Sequence, residues 1–508
     1  MTESLRGPTL RTEPPSTDRL HTAALVVALL VVGIVLRAWI IGSAFGELNA
    51  DEAYTGLQSI GVLRDGRFPI VIDGNVYSAA IEAYLFSPVL VFAGGSLVTL
   101  KWLFVALWGA AAVATFGAAQ RLLNRRAAAL AAALVWLAPG ALLVLSTTAY
   151  MCYALGLTVV VGALWASTTL ADQATATVRQ SAIIGFLAGL AFYIHPMFIT
   201  IVAPIIAVAA FAHRRDWRRW WLPAAIAAFL ANLPFLAWNA VNSWPSLKAQ
   251  AYPPGSYLDR FEGFFTGLLP RGLGLRKFDG TWVFGKPIGL LLYAAIIGGV
   301  VYGCVVLIKA STRPSRWIVP AGLACLPLMA LLPHLIFVAD GRYSIIPFPL
   351  MAIALGAAGS SFMKSWNRQR TTFALVSLVA LWVALTTLPF LNRQNVALAD
   401  NPNAWQDRVI ARLHELDIDR LAGYYWFVLP IEYRTDQEIR TAIAGNPYVI
   451  RFPESQRLVE TARPETVAFL FPSGEQDPNW FYMSIDNYRQ EDFGGMILYV
   501  PFAMGDGN

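Results

Sequence analysis

Asp51 and Glu52 sit side by side in LNADEAYTGLQS, residues 48–59, shortly after an apolar run at residues 23–43. A carboxylate there can take the proton of an incoming hydroxyl, or two can share a cation. The same letters also suit the start of a helix, with acids in the first turn favoured by the helix dipole. More chemistry-bearing residues fall at comparable places between apolar runs: Asp73, Tyr77 and Glu82 in DGNVYSAAIEAY, His195 before Pro196, His334 after Pro333, and Arg342 and Tyr343 in ADGRY. Glu82 belongs to an otherwise apolar stretch, where a carboxylate needs a partner or a substrate. His195 and His334 suit substrate contacts or hydrogen-bonded helix ends. Arg342 and Tyr343 suit a phosphate contact or an interfacial anchor pair.

These residues must be positioned by membrane helices. Of 508 residues 56% are hydrophobic and 14% charged, against about a quarter charged in soluble domains. Apolar stretches near spanning length run over 23–43, 98–123, 127–145, 150–170, 181–194, 197–212, 220–238, 287–309, 317–338, 343–362 and 372–391, which predicts eleven spans. With the N-terminus in the cytoplasm, every basic cluster falls on that side: 124–126, Arg179, HRRDWRR at 213–219, Lys309 with Arg313 and Arg316, and Lys364 with Arg368 and Arg370. That clustering also explains the net charge of +6 without nucleic acid as a partner. Cys152, Cys304 and Cys325 lie in apolar runs without CxxC or Cys/His spacing, so neither disulfide nor zinc is expected.

The expected organisation is a disordered cytoplasmic tail (1–19), a transmembrane domain (20–391), and an extracytoplasmic α/β domain (392–508). Within the transmembrane domain, a first outer loop (44–96) carries interfacial helices and a large outer loop covers 239–286. In the last domain TVAFLFPS and GGMILYVPF read as strands and NAWQDRVIARLHELD as a helix. The polar outliers then share the outer interface. Such a layer suits a substrate with a lipid tail and a polar head, and a polyprenyl-phosphate sugar fits. Nucleotide sugars are not available outside, and a phosphate already leaves well. The protein must add a base for the hydroxyl, and charge and donors for the phosphate.

The acid pair in NADEAYTG, the following GNVY and the Glu82 helix, and the late RYxxxP element (Arg342, Tyr343, Pro347) together resemble the GT-C glycosyltransferase superfamily. The likeness is greatest to the branch of protein O-mannosyltransferases and the aminoarabinose transferase of lipid A modification. The resemblance implies a polytopic α-helical GT-C-like fold in a bacterial plasma membrane. It also implies an inverting transfer of one sugar from a polyprenyl-phosphate donor to a hydroxyl on a glycan, lipid or protein. It makes Asp51 the catalytic base and Glu52 its neighbour in catalysis, and puts Tyr77, Arg342 and Tyr343 on the donor phosphate. Some relatives hold a divalent metal at the acid pair, here Asp51 and Glu52; the sequence requires none. The aminoarabinose branch has Lys-Pro after the first-loop tyrosine where this chain reads YSAAIEAY. The phosphate then needs another cation, with Arg271, Arg276 and Lys277 as candidates. Glu82, His195 and His334 remain for substrate binding. A transporter or flippase of lipid-linked sugars, or a non-catalytic assembly subunit on the same scaffold, is the alternative. Crowding of charge at one interface and the lack of internal repeats favour the enzyme.

Overall fold

The computed structural model describes residues 17–248, 255–310, 312–331, 341–444, 450–474 and 487–502. His334 lies outside the described residues. The chain begins with α1 (Thr17–Ile41), α2 (Ala50–Arg64), α3 (Ile81–Phe92) and α4 (Leu97–Leu122). There follow α5 (Arg125–Trp136), α6 (Gly140–Leu145), α7 (Tyr153–Ala171), α8 (Val178–Ile194), α9 (Ile199–Ala212) and α10 (Leu222–Val241). Short helices α11 (Tyr257–Glu262) and α12 (Leu269–Gly272) lead to α13 (Lys286–Ala310), α14 (Ile318–Ala324), α15 (Phe348–Phe362), α16 (Arg368–Trp382) and α17 (Leu388–Arg393).

This is a multi-pass membrane protein. Seven helices are long and apolar enough to cross a bilayer, joined by the shorter apolar helices α3, α8, α15 and the segment Pro196–Ala212. Among the described residues seven of the eleven apolar runs fall on helices of spanning length, and the runs 181–194, 197–212 and 343–362 fall on shorter apolar helices. The run 127–145 does neither: it breaks after Trp136, and Pro139, which has no N–H to offer, precedes α6. The break frees four carbonyls where water is scarce. Each is capped by a side chain: Val135 by Trp108 Nε1 (2.7 Å), Trp136 by Arg37 Nη2 (2.9 Å), Leu137 by Trp382 Nε1 (3.1 Å) and Ala138 by Thr387 Oγ1 (3.1 Å). Arg37, fully buried, also donates to Ser146 Oγ and the Gly33 carbonyl and stacks 4.2 Å over the Trp136 ring. Its charge is thus spread over carbonyls and an aromatic face.

The ends of the helices define two faces. On one, Asn124 bonds Ser360, Asp172 bonds Ser315 beside Arg316, and His213 meets the Leu170 carbonyl, so the basic clusters gather together. The opposite face carries α2, α3 and the C-terminal domain, with α18 (Ala404–Glu415), α19 (Tyr425–Arg434) and α20 (Pro453–Glu460). Its strands are β1 (Arg420–Gly423), β2 (Arg440–Ile443), β3 (Ala468–Pro472), β4 (Tyr488–Asp492) and β5 (Met496–Pro501). The order is β2-β1-β3-β5-β4, with β1 parallel to β2 and β3, and β5 antiparallel to β3 and β4.

The expected interfacial helix at the start of the first loop is different in kind. Twelve of the fifteen residues of α2 are buried, because the C-terminal domain closes over it. Leu57 and Ile60 of α2, Phe86 of α3 and Phe104 of α4 join Val428 and Ile431 of α19 and Leu421 and Leu470 of the sheet in one apolar cluster. The N-terminus of α2 is fixed by a reciprocal capping box between Asn49 and Glu52. Glu52 reaches further, with Oε1 accepting from Lys101 Nζ at 2.6 Å and from the Ala149 amide at 2.9 Å. Lys101 and Glu52 are both buried, so α2, α4 and the 149 turn meet at one ion pair.

Lys101→Met leaves Glu52 as an uncompensated buried carboxylate and is expected to cost about 3–5 kcal/mol. Thermal unfolding in nanodiscs should show it, with most of the loss recovered when Glu52→Gln is added.

Candidate functional site

Asp51 occupies the first turn of α2, half-buried, at the seam with the C-terminal domain. Its Oδ1 accepts from the Tyr425 hydroxyl at 2.7 Å. Tyr425 opens α19 immediately beyond β1, which aims the phenol back at α2. Burial, followed by the Asp51 carboxylate, raises the Tyr425 phenol far above its ordinary range, so it remains a donor.

The membrane side of Asp51 is built around the start of α7. Cys152 caps that helix in a left-handed conformation (φ 73°), an uncommon state for a side chain bearing Cβ. Ser78, Glu82, Arg342 and Asp51 are the polar groups around its thiol. Glu82 is buried and accepts from the amides of Cys152 and Leu155 (3.2 Å to the latter), capping α7 from another helix. Arg342 lies over the rings of Tyr150 (4.8 Å) and Tyr153 (5.9 Å). The Tyr343 ring is 6.1 Å from that of Tyr153, and its hydroxyl lies in the field of Arg342, Tyr77 and Cys152. Tyr77 packs edge-on against His195 at 5.1 Å, and His195 Nδ1 accepts from the Met197 amide.

Thus Asp51, Glu82, Arg342, Tyr343, Tyr77 and His195, dispersed over some 290 residues of sequence, are brought to one region. Arg271 joins them through its backbone: Gly341 packs on Arg271 and Gly272, and a Cβ on Gly341 would come within 2.8 Å of the Gly272 nitrogen. The side chains of Arg271, Arg276 and Lys277 are engaged locally, Arg271 Nε donating to the Lys277 carbonyl at 3.3 Å. Arg276 donates to the Gly280 and Thr266 carbonyls, and Lys277 pairs with Asp279 at 2.7 Å. Glu52 turns into its ion pair with Lys101 through Oε1 and into its capping box with Asn49 through Oε2, so both of its oxygens are already engaged. Asp51 and Glu52 therefore do not fit a shared metal. Among the described residues no three His, Cys, Asp or Glu side chains converge as a ligand set.

Sequence reasoning passed over Lys101 and Tyr425. A lysine one turn into an apolar run was a usable signal for the first. The second carried none, since a tyrosine in GYYWF resembles any domain core. A separate groove of about 1480 Å³ opens between α5, α13, α15 and α16, running from Trp366 and Arg370 at the basic face to Leu275 and Thr386 near the site. Its lining is mostly Leu, Ala, Phe and Ile.

No protein-family model and no curated protein matches the chain. Solved structures do. ArnT from Cupriavidus metallidurans is similar over 94% of this chain and 98% of its own, at TM-score 0.62 and 12% identity in the apo state and 0.61 and 12% with bound undecaprenyl phosphate. The archaeal oligosaccharyltransferase AglB from Archaeoglobus fulgidus, in complex with an inhibitory peptide and a dolichol-phosphate, matches 94% of this chain and 74% of its own (TM-score 0.51, 12% identity). The arabinofuranosyltransferase AftD from Mycobacteria matches 93% of this chain and 41% of its own (TM-score 0.51, 14% identity).

Removing the trans cap tests how the start of α7 is held. Glu82→Ala withdraws the acceptor from two buried amides, at about 1–3 kcal/mol for a buried group left unsatisfied. Hydrogen exchange over residues 149–157 should accelerate, and Glu82→Gln, which keeps one carbonyl oxygen, should exchange at an intermediate rate.

Proposed function

We propose that this chain, which has the GT-C fold, is a membrane glycosyltransferase that moves one sugar from a polyprenyl-phosphate donor to an acceptor hydroxyl. The observation that carries the reading is that a half-buried carboxylate, Asp51, and the arginine and tyrosine cluster of Arg342, Tyr150, Tyr153 and Tyr343 both lie around Cys152 at the start of α7. Structural neighbours bind undecaprenyl phosphate or dolichol-phosphate, which supports a lipid-linked donor.

In this reading Asp51 takes the proton from the acceptor hydroxyl. The oxygen forms its bond to the anomeric carbon while the bond from that carbon to the phosphate oxygen breaks. The electron pair leaves with the polyprenyl phosphate, whose growing charge falls to Arg342, Arg271 and the hydroxyls of Tyr343 and Tyr77. Lys277, paired with Asp279, is better suited to shaping its own loop than to reaching the phosphate. One base and direct displacement invert the configuration. Glu52 acts as a positioning residue that fixes the first turn of α2. Glu82 acts likewise by fixing Tyr153 and Cys152, and His195 by backing Tyr77. The groove between α13, α15 and α16, about 1480 Å³ and lined mostly by apolar side chains, suits an isoprenoid tail. The orientation that follows puts the basic face in the cytoplasm of a bacterial plasma membrane and the sheet domain outside.

With purified protein and synthetic polyprenyl-phosphate sugars, Asp51→Asn is expected to lower turnover by about 10²–10⁴-fold. Full turnover by that variant removes the assigned base, and recovery of intact glycolipid from the wild type would point to transport instead. NMR of the product's anomeric proton reads the configuration, and retention would exclude the single displacement.

A further inference from the structure

Asp51, Tyr54 and Gln58 recur along α2 at steps of three and four residues, which puts them on one face. Tyr54 and Gln58 are each 4% exposed, yet among the described residues both ends of the Gln58 amide form no hydrogen bond, and the Tyr54 hydroxyl lies near the Asp73 backbone amide but short of a formed hydrogen bond. The Nε of Arg451, which faces them from the C-terminal domain, is in the same condition. Buried polar atoms are paired as a rule, so several orphans facing one another ask for a partner. Asp73 lies among them. Burial raises its carboxyl above the usual range, against the pull of the nearby Gln58 amide, Arg67 and Arg451; the amide is close to it but short of a formed hydrogen bond.

The opposing wall is aromatic and cationic. Arg451 lies 5.5 Å from the Tyr54 ring and 6.0 Å from that of Tyr425, and its Nη1 donates to the Asp73 carbonyl at 3.2 Å. Phe452 packs on Tyr54 at 5.7 Å, and Trp426, 41% exposed, packs edge-on against Tyr425 at 5.1 Å. The two walls are held close. Gly74, at φ +68°, approaches so near that a Cβ would come within 2.6 Å of the Ile450 carbonyl. The location has its own logic. β1 runs parallel to β2 and β3, and the loops beyond the carboxyl ends of parallel strands are where open α/β sheets carry ligands. Tyr425 follows β1 directly and Arg451 follows β2.

We propose that these groups form the acceptor site and that the acceptor is itself a sugar residue, an assignment that rests on the glycosyl-transfer reading above. The chemistry selects a neutral polyhydroxyl compound. A phenol, an amide, a guanidinium N–H and two carboxylates offer donors and acceptors in mixed order beside aromatic faces, and Asp51 and Asp73 balance Arg451 and the nearby Arg67, which leaves no net positive charge to select an anion. The geometry selects the acceptor over the donor. In direct displacement the incoming hydroxyl and the leaving phosphate lie on opposite sides of the anomeric carbon. Asp51 has the Arg342 and Tyr343 cluster on its membrane side and the Tyr54, Gln58 and Arg451 cluster toward the sheet domain. Bound sugar hydroxyls satisfy the orphaned atoms, and Asp51 sits where one hydroxyl emerges.

The test uses the full chain in nanodiscs, polyprenyl-phosphoryl mannose and polyprenyl-phosphoryl arabinofuranose as donors, and octyl mannoside, octyl arabinofuranoside and a Ser/Thr peptide as acceptor probes. At least one glycoside is expected to accept. Tyr54→Phe and Gln58→Leu are each expected to raise its KM by about tenfold or more through loss of one hydrogen bond. Donor KM should not change, and the melting temperature should not fall, since each variant removes a buried polar group without a formed hydrogen bond. The proposal is overturned if no glycoside accepts, if the peptide alone does, if glycoside KM is unchanged in both variants, or if donor KM rises in step with glycoside KM. Full turnover by Asp51→Asn would instead overturn the underlying reading, so the two failures are distinguishable.

Discussion

The ion pair between Glu52 and Lys101 is the constraint on which the site depends. Two charges in a poorly polarisable interior tolerate only close partnership, and these are 2.6 Å apart with almost no exposure. Because one carboxylate also receives the Ala149 amide and closes the Asn49 capping box, a single side chain fixes α2, α4 and the 149 turn together. Thr55 reinforces the joint by donating to the Ala149 carbonyl at 2.8 Å. Asp51 inherits its direction from this arrangement. Adjacent acids thus divide the labour, one buried and anchored, the other half-exposed and aimed.

The same economy recurs at the start of α7. Its first amides face the protein interior, where an unpaired N–H is costly, and Glu82 of α3 meets them. The left-handed turn at Cys152 then sends Tyr150 and Tyr153 to the same side, where Arg342 covers both rings. The C-terminal domain is part of this construction, since Tyr425 touches the Asp51 carboxylate and the domain shares an apolar cluster with α2.

Much of this was legible in the residues. Apolar length and basic clusters gave the passages and their alternation, because the bilayer leaves few other ways to satisfy a backbone. The strands at 468–472 and 496–501 and the helix at 404–415 followed from alternation and helical spacing. Asp51, Tyr77, Glu82, Arg342 and Tyr343 were recognisable as polar outliers between apolar runs, and they do converge. Their individual parts were not legible. Glu82 reads the same whether it faces a substrate or caps a helix, and Glu52 could not reveal Lys101 as its partner across 49 residues. The burial of α2 depended on a domain more than 350 residues away, and the break in 127–145 was hidden because its flanks are as apolar as a continuous span.

That break has a consequence for how the protein is made. Two of the four carbonyls at the end of α5 wait for Trp382 and Thr387, which lie 245 and 249 residues further along. When the ribosome has delivered α5 and α6, those two oxygens still lack the side chains that meet them in the finished fold. Closure of the break therefore waits on the segment carrying Trp382 and Thr387, so the early and late parts of the membrane domain are completed together.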